Sequence, residues 1–358
     1  MGRSGNGRVA WRSRERSSSF ERASRAITSK GTMRTYIDLK FRACVQERTA
    51  VVGPEIPRLY PALNQIPPLM APSLLTSLNR NGYVLITSIL TPSQLATLRS
   101  ACHQVTALAR ANKWPHIRTL PKQFPPWPSD PSNGIWGVQH LMHPDLPGHN
   151  LFSESYFSNT VIDIVKELLE CEEGDLVMEL YNLLVRPDRD FELRWHRDDI
   201  AETASADEEM ERLKEPAWHA QWNLALYDDS SLVVVPGSHQ RARTDAERNA
   251  DPFEKHPPGQ KVLEMKAGDI VYYNNNILHR GVYDCGVERM TLHGSMGHVA
   301  GSRLRARNVL QHGVGEWVER CDFSEMELEG LRRRAESMRK RLLDSGRGAG
   351  DVGYAHKD

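Results

Sequence analysis

The sequence predicts a mostly β domain, an antiparallel sandwich or barrel, with a helical segment before it and a helix after it. Three observations carry this. Between residues 175 and 300, short runs such as "DLVMELYNLLVRP", "AWHAQWNLALYD", "SLVVVPGSH" and "VERMTLHGS" are rich in β-branched and aromatic residues and are separated by turn residues. That is the pattern of short strands joined by turns. Upstream, "TPSQLATLRSACHQVTALARANK" has helical period, and downstream "SEMELEGLRRRAESMRKRLL" has it again.

The elements follow in order. Residues 1–52 are rich in Arg and Ser, and the first 30 contain only Glu15 and Glu21 as acids. Such a segment buries too little surface to offset its ordering entropy, so a disordered basic leader is expected. Its composition also suits a mitochondrial transit peptide. The domain is expected over 53–322, with its core at 175–300. "RNGYVLITSIL" reads as a buried strand bounded by Asn81-Gly82 and Thr91-Pro92. In the helix that follows, Thr91 is the N-cap, Pro92 takes the first helical position and Gln94 completes a capping box. Leu95, Leu98, Cys102, Val105 and Ala109 form its apolar stripe. "KWPHIRTLPKQFPPWPSDPSNG" has too many prolines for a helix or central strand. "AETASADEEMERLKEP" is acidic and helix-prone, an expected exposed insertion or lid. The C-terminal helix is expected over 323–344, with Ser324 and Glu327 as its capping box and Leu328, Leu331, Ala335, Met338 and Leu342 as its stripe. A flexible tail, 345–358, ends the chain.

Bulk properties exclude several function classes. Forty-six basic and 46 acidic residues give a formal net charge of zero, so no global field favours nucleic acid or an anionic membrane. No apolar run approaches the roughly 20 residues of a membrane span. Cys44, Cys102, Cys171, Cys285 and Cys321 are scattered and form no CxxC pair. A thiolate zinc site or disulfide framework is therefore not expected, and a reducing, cytoplasmic location is. The expected partner is a small-molecule substrate, bound by a monomer or homodimer.

The chemistry centres on "FELRWHRDDI", residues 191–200. In a strand, His196 and Asp198 share one face while Arg197 and Asp199 take the other. Two histidines and one carboxylate leave three positions open on iron, as oxygen chemistry requires. The third ligand is sought among His219, His239, His279 and His293. His279 stands out because it follows "KAGDIVYYNNNIL", where Gly268-Asp269 reads as a tight turn, and because Arg289 comes ten residues later. "ILHRGVYDCGVERMTLHG" reads as a hairpin whose loop, Asp284-Cys285-Gly286, puts Gly286 in the left-handed region. That register pairs His279 with Thr291 and leaves Arg289 on the same face. An arginine fork suits a carboxylate. His239 sits in "PGSH", a turn in which a histidine bonds locally, and Asn249 rather than Arg lies ten residues on. His293 lacks the preceding Gly-Asp strand, His219 alternates with Trp218, and His140, His143 and His149 sit in a loop. An iron site, a carboxylate clamp and a barrel together suggest a 2-oxo acid co-substrate.

The ordered set "WHRD" (Trp195 to Asp198), "LVVVPGSH" (Leu232 to His239), "AGDIVYY" (Ala267 to Tyr273), His279 and Arg289 resembles the phytanoyl-CoA dioxygenase-like family of Fe(II)/2-oxoglutarate-dependent oxygenases. "NGYVLITSILTPSQLATLR" is similar to that family's opening strand and helix. The resemblance implies a double-stranded β-helix, or jelly roll. It implies Fe(II) bound by His196, Asp198 and His279, and 2-oxoglutarate held by Arg289 and converted with O2 to succinate and CO2. Gln139, Tyr181, Gln221 and Asn223 are candidates to line the co-substrate pocket, and Trp136 and Asn182 the substrate pocket; each is equally a candidate structural residue. The turn before "PGSH" is shortened to "YDDSS" and the insertion after Asp198 is long, both at the pocket border. Asp198 stands where the family's halogenases carry a small residue, which favours hydroxylation. Two other readings stay open: a jelly-roll binding protein with a vestigial site, and a cupin-like metal-dependent hydrolase or isomerase, which leaves Arg289 without a role.

Overall fold

A computed structural model describes residues 72–350. The chain runs through α1 (Leu74–Asn81), β1 (Tyr83–Ile86) and α2 (Pro92–Arg110), then β2 (Ile117–Thr119), β3 (Ile135–Val138), α3 (His149–Tyr156) and α4 (Asn159–Leu169). β4 (Leu176–Val185), β5 (Phe191–Glu192), α5 (Ala206–Leu213), β6 (His219–Ala225), β7 (Leu232–Val234), α6 (Asp245–Asn249) and β8 (Lys261–Val262) follow. β9 (Ile270–Tyr273), β10 (His279–Tyr283), β11 (Met290–His298), α7 (Arg303–Gln311) and α8 (Glu329–Gly346) complete it.

Local signals set α2 where they were read. The Thr91 hydroxyl accepts from the Gln94 N–H at 3.3 Å, and the Gln94 side chain accepts from the Thr91 N–H at 2.9 Å. Leu98, Cys102, Val105 and Ala109 are buried along one face. Gly268 has φ +94°, the left-handed turn expected before β9.

The strands form two antiparallel sheets, one of order β1-β9-β6-β11-β4-β3-β2 and one of order β5-β10-β7-β8. The inner faces of the two sheets meet in two apolar clusters. One joins Ala225, Val271 and Tyr273 to Leu232 and Val234, and the other joins Trp136 and Leu184 to Leu193 and Tyr283. On the outer face of the larger sheet, Leu183, Trp222 and Leu292 share a third cluster with Val105, Phe152, Val165, Val309 and Met338 from the helices. β4 and β11 are therefore covered on both sides, and nearly every residue of each is buried. The architecture is the mostly β, helix-flanked fold that the sequence predicts.

Four local expectations are corrected. β10 and β11 are not a hairpin. β10 pairs with β7 and β5, whereas β11 pairs with β4 and β6 in the other sheet. β11 finds long, buried partners in β4 and β6, which leaves β10 to the smaller sheet, and residues 284–289 become a link between sheets. Gly286 accordingly has no positive φ. Residues 191–200 are a strand only at Phe191–Glu192, followed by a single bridge between His196 and His279. α8 begins at Glu329 with no side-chain cap, and Leu328 is 62% exposed. Ser324 and Glu327 lie before the helix, while Ala335, Met338 and Leu342 form the buried stripe, each large apolar one stabilising by roughly 1.5–3 kcal/mol. The acidic insertion does hold a helix, α5, but its Glu209 is fully buried rather than solvated. No helix among the described residues is long and apolar enough to cross a membrane. The expected leader, 1–52, and the end of the tail lie outside the described residues.

Candidate active site

His196 and His279 are brought together by the backbone. Each donates its N–H to the other's carbonyl at 3.1 Å, and the rings lie 4.3 Å apart by centroid. His279 Nδ1 lies 2.9 Å from the Ile277 carbonyl, and His196 Nδ1 lies 2.9 Å from the Arg194 carbonyl. A carbonyl only accepts, so Nδ1 carries a proton in both rings and Nε2 is the nitrogen turned to the site. Gln123 Nε2 also stands 3.2 Å from His196 Nδ1, but Gln123 Oε1 accepts the Arg194 N–H at 2.9 Å, which holds the loop that carries the ring.

Both Nε2 atoms face Asp198. Oδ1 is 3.5 Å from that of His196 and 3.6 Å from that of His279. These separations are too long for charge-assisted hydrogen bonds. They suit donor atoms that share one ion, and the three ligand atoms all lie within 4.8 Å of one another. Asp198 Oδ2 accepts from Gln221 Nε2 at 2.9 Å. Burial pushes the Asp198 carboxyl up, but His279, His196 and the Gln221 bond outweigh it and hold the group below the usual carboxylate range. Two imidazole nitrogens and a carboxylate oxygen converging on one point fit a divalent metal that keeps further positions open.

Arg197 takes the opposite side, although this stretch is a loop rather than a strand. Fully buried, it donates to the carbonyls of Ser238 and Arg241 at 2.9 Å each, and to that of Asn276. It thus pins the "WHRD" loop from behind. Asp198 N–H donates to the Asn275 carbonyl at 2.8 Å, which fixes the loop from the other end.

The triad opens into a cavity of about 580 Å³ that Arg289 also lines. Arg289 precedes β11 and is buried. Its Nε and Nη2 each lie 3.1 Å from Asp229 Oδ2, and Nη2 donates to Thr291 Oγ1 at 3.1 Å. Thr291 in turn donates to Asp229 Oδ2 at 2.6 Å, and Tyr283 lies under the guanidinium at 4.5 Å. Arg289 Nη1 is buried without a hydrogen-bond partner. An unpaired donor at that depth is costly unless an acceptor arrives. A carboxylate oxygen is the natural one.

A model of the phytanoyl-CoA dioxygenase (PhyH) family matches residues 78–282. The chain belongs to the phytanoyl-CoA dioxygenase family. The matched span contains all three members of the triad, and Arg289 lies beyond it. Among solved structures, EctD from S. alaskensis with bound Fe is 20% identical, with 64% of this chain and 76% of that one covered and a TM-score of 0.47. AviO1 from Streptomyces viridochromogenes Tue57 is 18% identical over 64% of this chain and 95% of that one, with a TM-score of 0.46. HygX from Streptomyces hygroscopicus, solved with nickel and 2-oxoglutarate, is 15% identical over 63% and 86%, with a TM-score of 0.46. No curated protein matches the chain.

In this phytanoyl-CoA dioxygenase family member, Trp136, Gln221 and Asn223 line the cavity with the triad and Arg289. Asn223 Oδ1 accepts from His293 Nδ1 at 2.9 Å. Gln139, Tyr181 and Asn182 are not among the lining residues. The Gln139 carbonyl accepts from Trp114 Nε1 at 3.0 Å, outside the cavity. Tyr181 turns to the helix-covered face, where its hydroxyl meets Ser155 Oγ at 3.0 Å. Asn182 Oδ1 is engaged by the His140 N–H at 3.0 Å. On β4 it is Leu180 and Leu184 that face the cavity. His239 bonds the Asn79 carbonyl at 2.9 Å, away from the triad. His293 does line the cavity, but burial pushes its ring down to about 3 and keeps it neutral.

Sequence reasoning missed Gln123, Phe124, Arg118 and the α7 residues Arg305 and Asn308, all of which line the cavity. The first three lie in or beside the proline-rich loop, which folds back over the triad with Phe124 edge-on to His196 at 5.5 Å. Only the loop's density of Trp and Pro hinted at this.

Proposed function

We propose that the chain is an Fe(II)- and 2-oxoglutarate-dependent dioxygenase that hydroxylates a small to medium organic molecule. The balance is R–H + O2 + 2-oxoglutarate → R–OH + succinate + CO2. One observation carries the reading: a buried arginine nitrogen without a partner, Arg289 Nη1, lines the same cavity as two imidazoles and a carboxylate converging on one point. A hydrolytic or isomerising metal site gives that nitrogen no role.

His196, Asp198 and His279 would hold the iron, which supplies O2 activation and the oxidation of the co-substrate. The residues of the chain do the rest. The Ile277 and Arg194 carbonyls fix the imidazole tautomers, and Gln221 turns Asp198 so that Oδ1 faces the metal position. Arg289 Nη1 receives the far carboxylate of 2-oxoglutarate, held in place by Asp229, Thr291 and Tyr283. Phe124, edge-on to His196, excludes water beside the triad, and Trp136 lines the same cavity against Tyr283. A retained carboxylate at 198, which fills the position a halide would need, favours hydroxylation. A cavity of about 580 Å³ falls within the usual range for small-molecule sites.

The test is 2-oxoglutarate-coupled O2 consumption across a metabolite panel, with Asp198→Ala as the control. The expected result is a substrate that stimulates succinate release in the wild type and none in the variant. Equal turnover in both would remove Asp198 from its role.

A further inference from the structure

We propose that Arg118 is a second carboxylate anchor of this cavity. The proposal rests on the co-substrate reading above and adds a residue to it. Arg118 sits in the middle of β2, on the edge of the larger sheet. Its side chain crosses Gly137 of β3, where a Cβ would stand 3.0 Å from Arg118 Cδ and 3.2 Å from Cγ. A side chain at 137 would force the arginine out, so the glycine is what lets it reach inward. Trp127 and Trp136 hold the guanidinium, 5.0 and 5.2 Å from their ring centroids.

Aromatic faces steady a cation but leave its five N–H donors unused. Arg118 Nε is buried without an acceptor. Four arginines line the cavity: Arg118, Arg212, Arg289 and Arg305. Arg212 pairs with Asp199, Arg289 with Asp229 and Arg305 with Glu179. Arg118 alone makes no ion pair among the described residues. Burial lowers its pKa from the usual arginine range, opposed by the fields of Tyr283, Tyr273 and Asp198. A cation in that position calls for an anion.

Charge balance points the same way. A ferrous ion with Asp198 leaves one positive charge, and a dicarboxylate brings two negative ones. The three paired arginines contribute nothing net. One cation is missing, and Arg118 supplies it. Tyr283 lies under the Arg289 guanidinium and also feels the charge of Arg118, and both arginines line the same cavity. The anion is a carboxylate, of the co-substrate or of an acidic substrate, and the experiment separates the two.

Full-length wild type, Arg118→Met and Arg118→Lys are compared by calorimetry, first with Mn(II), then with 2-oxoglutarate titrated into the Mn(II)-loaded protein. Thermal melting controls for folding, and methionine keeps the contact with the tryptophans. The expected result is 2-oxoglutarate binding roughly tenfold to a hundredfold weaker in Arg118→Met, partly recovered in Arg118→Lys, with Mn(II) affinity unchanged. If 2-oxoglutarate affinity does not move, a panel of carboxylic acids and their primary amides is tested by thermal shift on protein saturated with Mn(II) and 2-oxoglutarate. A preference for acids in the wild type that is lost in Arg118→Met assigns the anchor to the substrate. Unchanged 2-oxoglutarate affinity, together with the same acid and amide responses in both proteins, overturns the proposal. Wild type that takes up Mn(II) but no 2-oxoglutarate overturns the co-substrate reading, and this proposal falls with it.

Discussion

His196 and His279 exchange both backbone hydrogen bonds across one β-bridge, yet they come from different kinds of structure. His279 opens β10 in the middle of the smaller sheet, while His196 sits in a loop that touches that strand at this one point. The arrangement turns two imidazole nitrogens and a carboxylate oxygen to one point. Bound metal should therefore stabilise the folded state, by about 2.7 kcal/mol when present at 100 times its Kd. The expected outcome is a rise in melting temperature of the wild type with Mn(II), absent in His279→Ala. An equal rise in both proteins would place the metal elsewhere.

Asp229 tests the arginine clamp. It is buried, and although burial raises its carboxyl pKa, Arg289, Ser231 and Thr291 hold it below the usual range. Asp229→Asn leaves the Arg289 charge buried without its carboxylate and should cost about 1–3 kcal/mol of stability. Asp229 takes Nε and Nη2 and so holds Nη1 toward the ligand. Added 2-oxoglutarate with Mn(II) should thus raise the melting temperature of Asp229→Asn by less than that of the wild type. A larger rise in the variant would show that Asp229 competes for Arg289 rather than orients it.

His140 gives a pH dependence with a definite sign. Burial, reinforced by His116 and His143, pushes its ring down to about 3, whereas an unfolded histidine titrates near 6.5. Between those values the unfolded chain binds a proton that the folded chain refuses. Stability is therefore complete above pH ~6.5 and falls as pH drops toward 3, by linkage of one proton. His140 has φ +64°, a conformation asparagine tolerates well. His140→Asn should flatten the stability profile in that window when denaturant midpoints are measured from pH 7 to 4.5. A profile as steep as wild type would assign the acid sensitivity to other groups.

How much of this was legible depended on the range of the interaction. The α2 capping box and the Gly268 turn are fixed by residues a few positions apart, and the sequence carries both in full. The pairing of His196 with Asp198 is likewise local, but little of residues 191–200 is strand, and Asp199, expected on the other face, lines the same cavity. The assignment of β10 and β11 to separate sheets was not legible. It turns on competition between a nearby partner and distant ones, and the alternation of a short strand fits either. Arg289 lines the cavity, but by a crossing between sheets rather than by a hairpin. Arg118 was invisible because its neighbours, Gly137, Trp127 and Trp136, meet only once β2 and β3 pair.

Glu209 anchors the insertion after Asp198. It is fully buried in α5, where its carboxylate accepts from Arg243 N–H at 2.6 Å and from Arg248 Nη2 at 3.2 Å, bonds Arg243 Nε, and lies 4.0 Å from Arg197 Nε. α5 otherwise buries none of its residues, so this one carboxylate holds the helix to residues 241–248 and to the arginine behind the triad. One turn later Arg212 lines the cavity and reaches Asp199 at 3.4 Å. Glu209→Ala leaves several guanidinium groups without a counter-charge and should cost about 3–5 kcal/mol, the scale for breaking a buried pair. The loss should be local first. Limited proteolysis should cut residues 201–216 faster in the variant, and Mn(II) affinity should fall as Arg197 loosens the loop carrying His196 and Asp198. Wild-type cleavage rates with wild-type Mn(II) affinity would mean that α5 is held by the packing of its neighbours and not by this carboxylate.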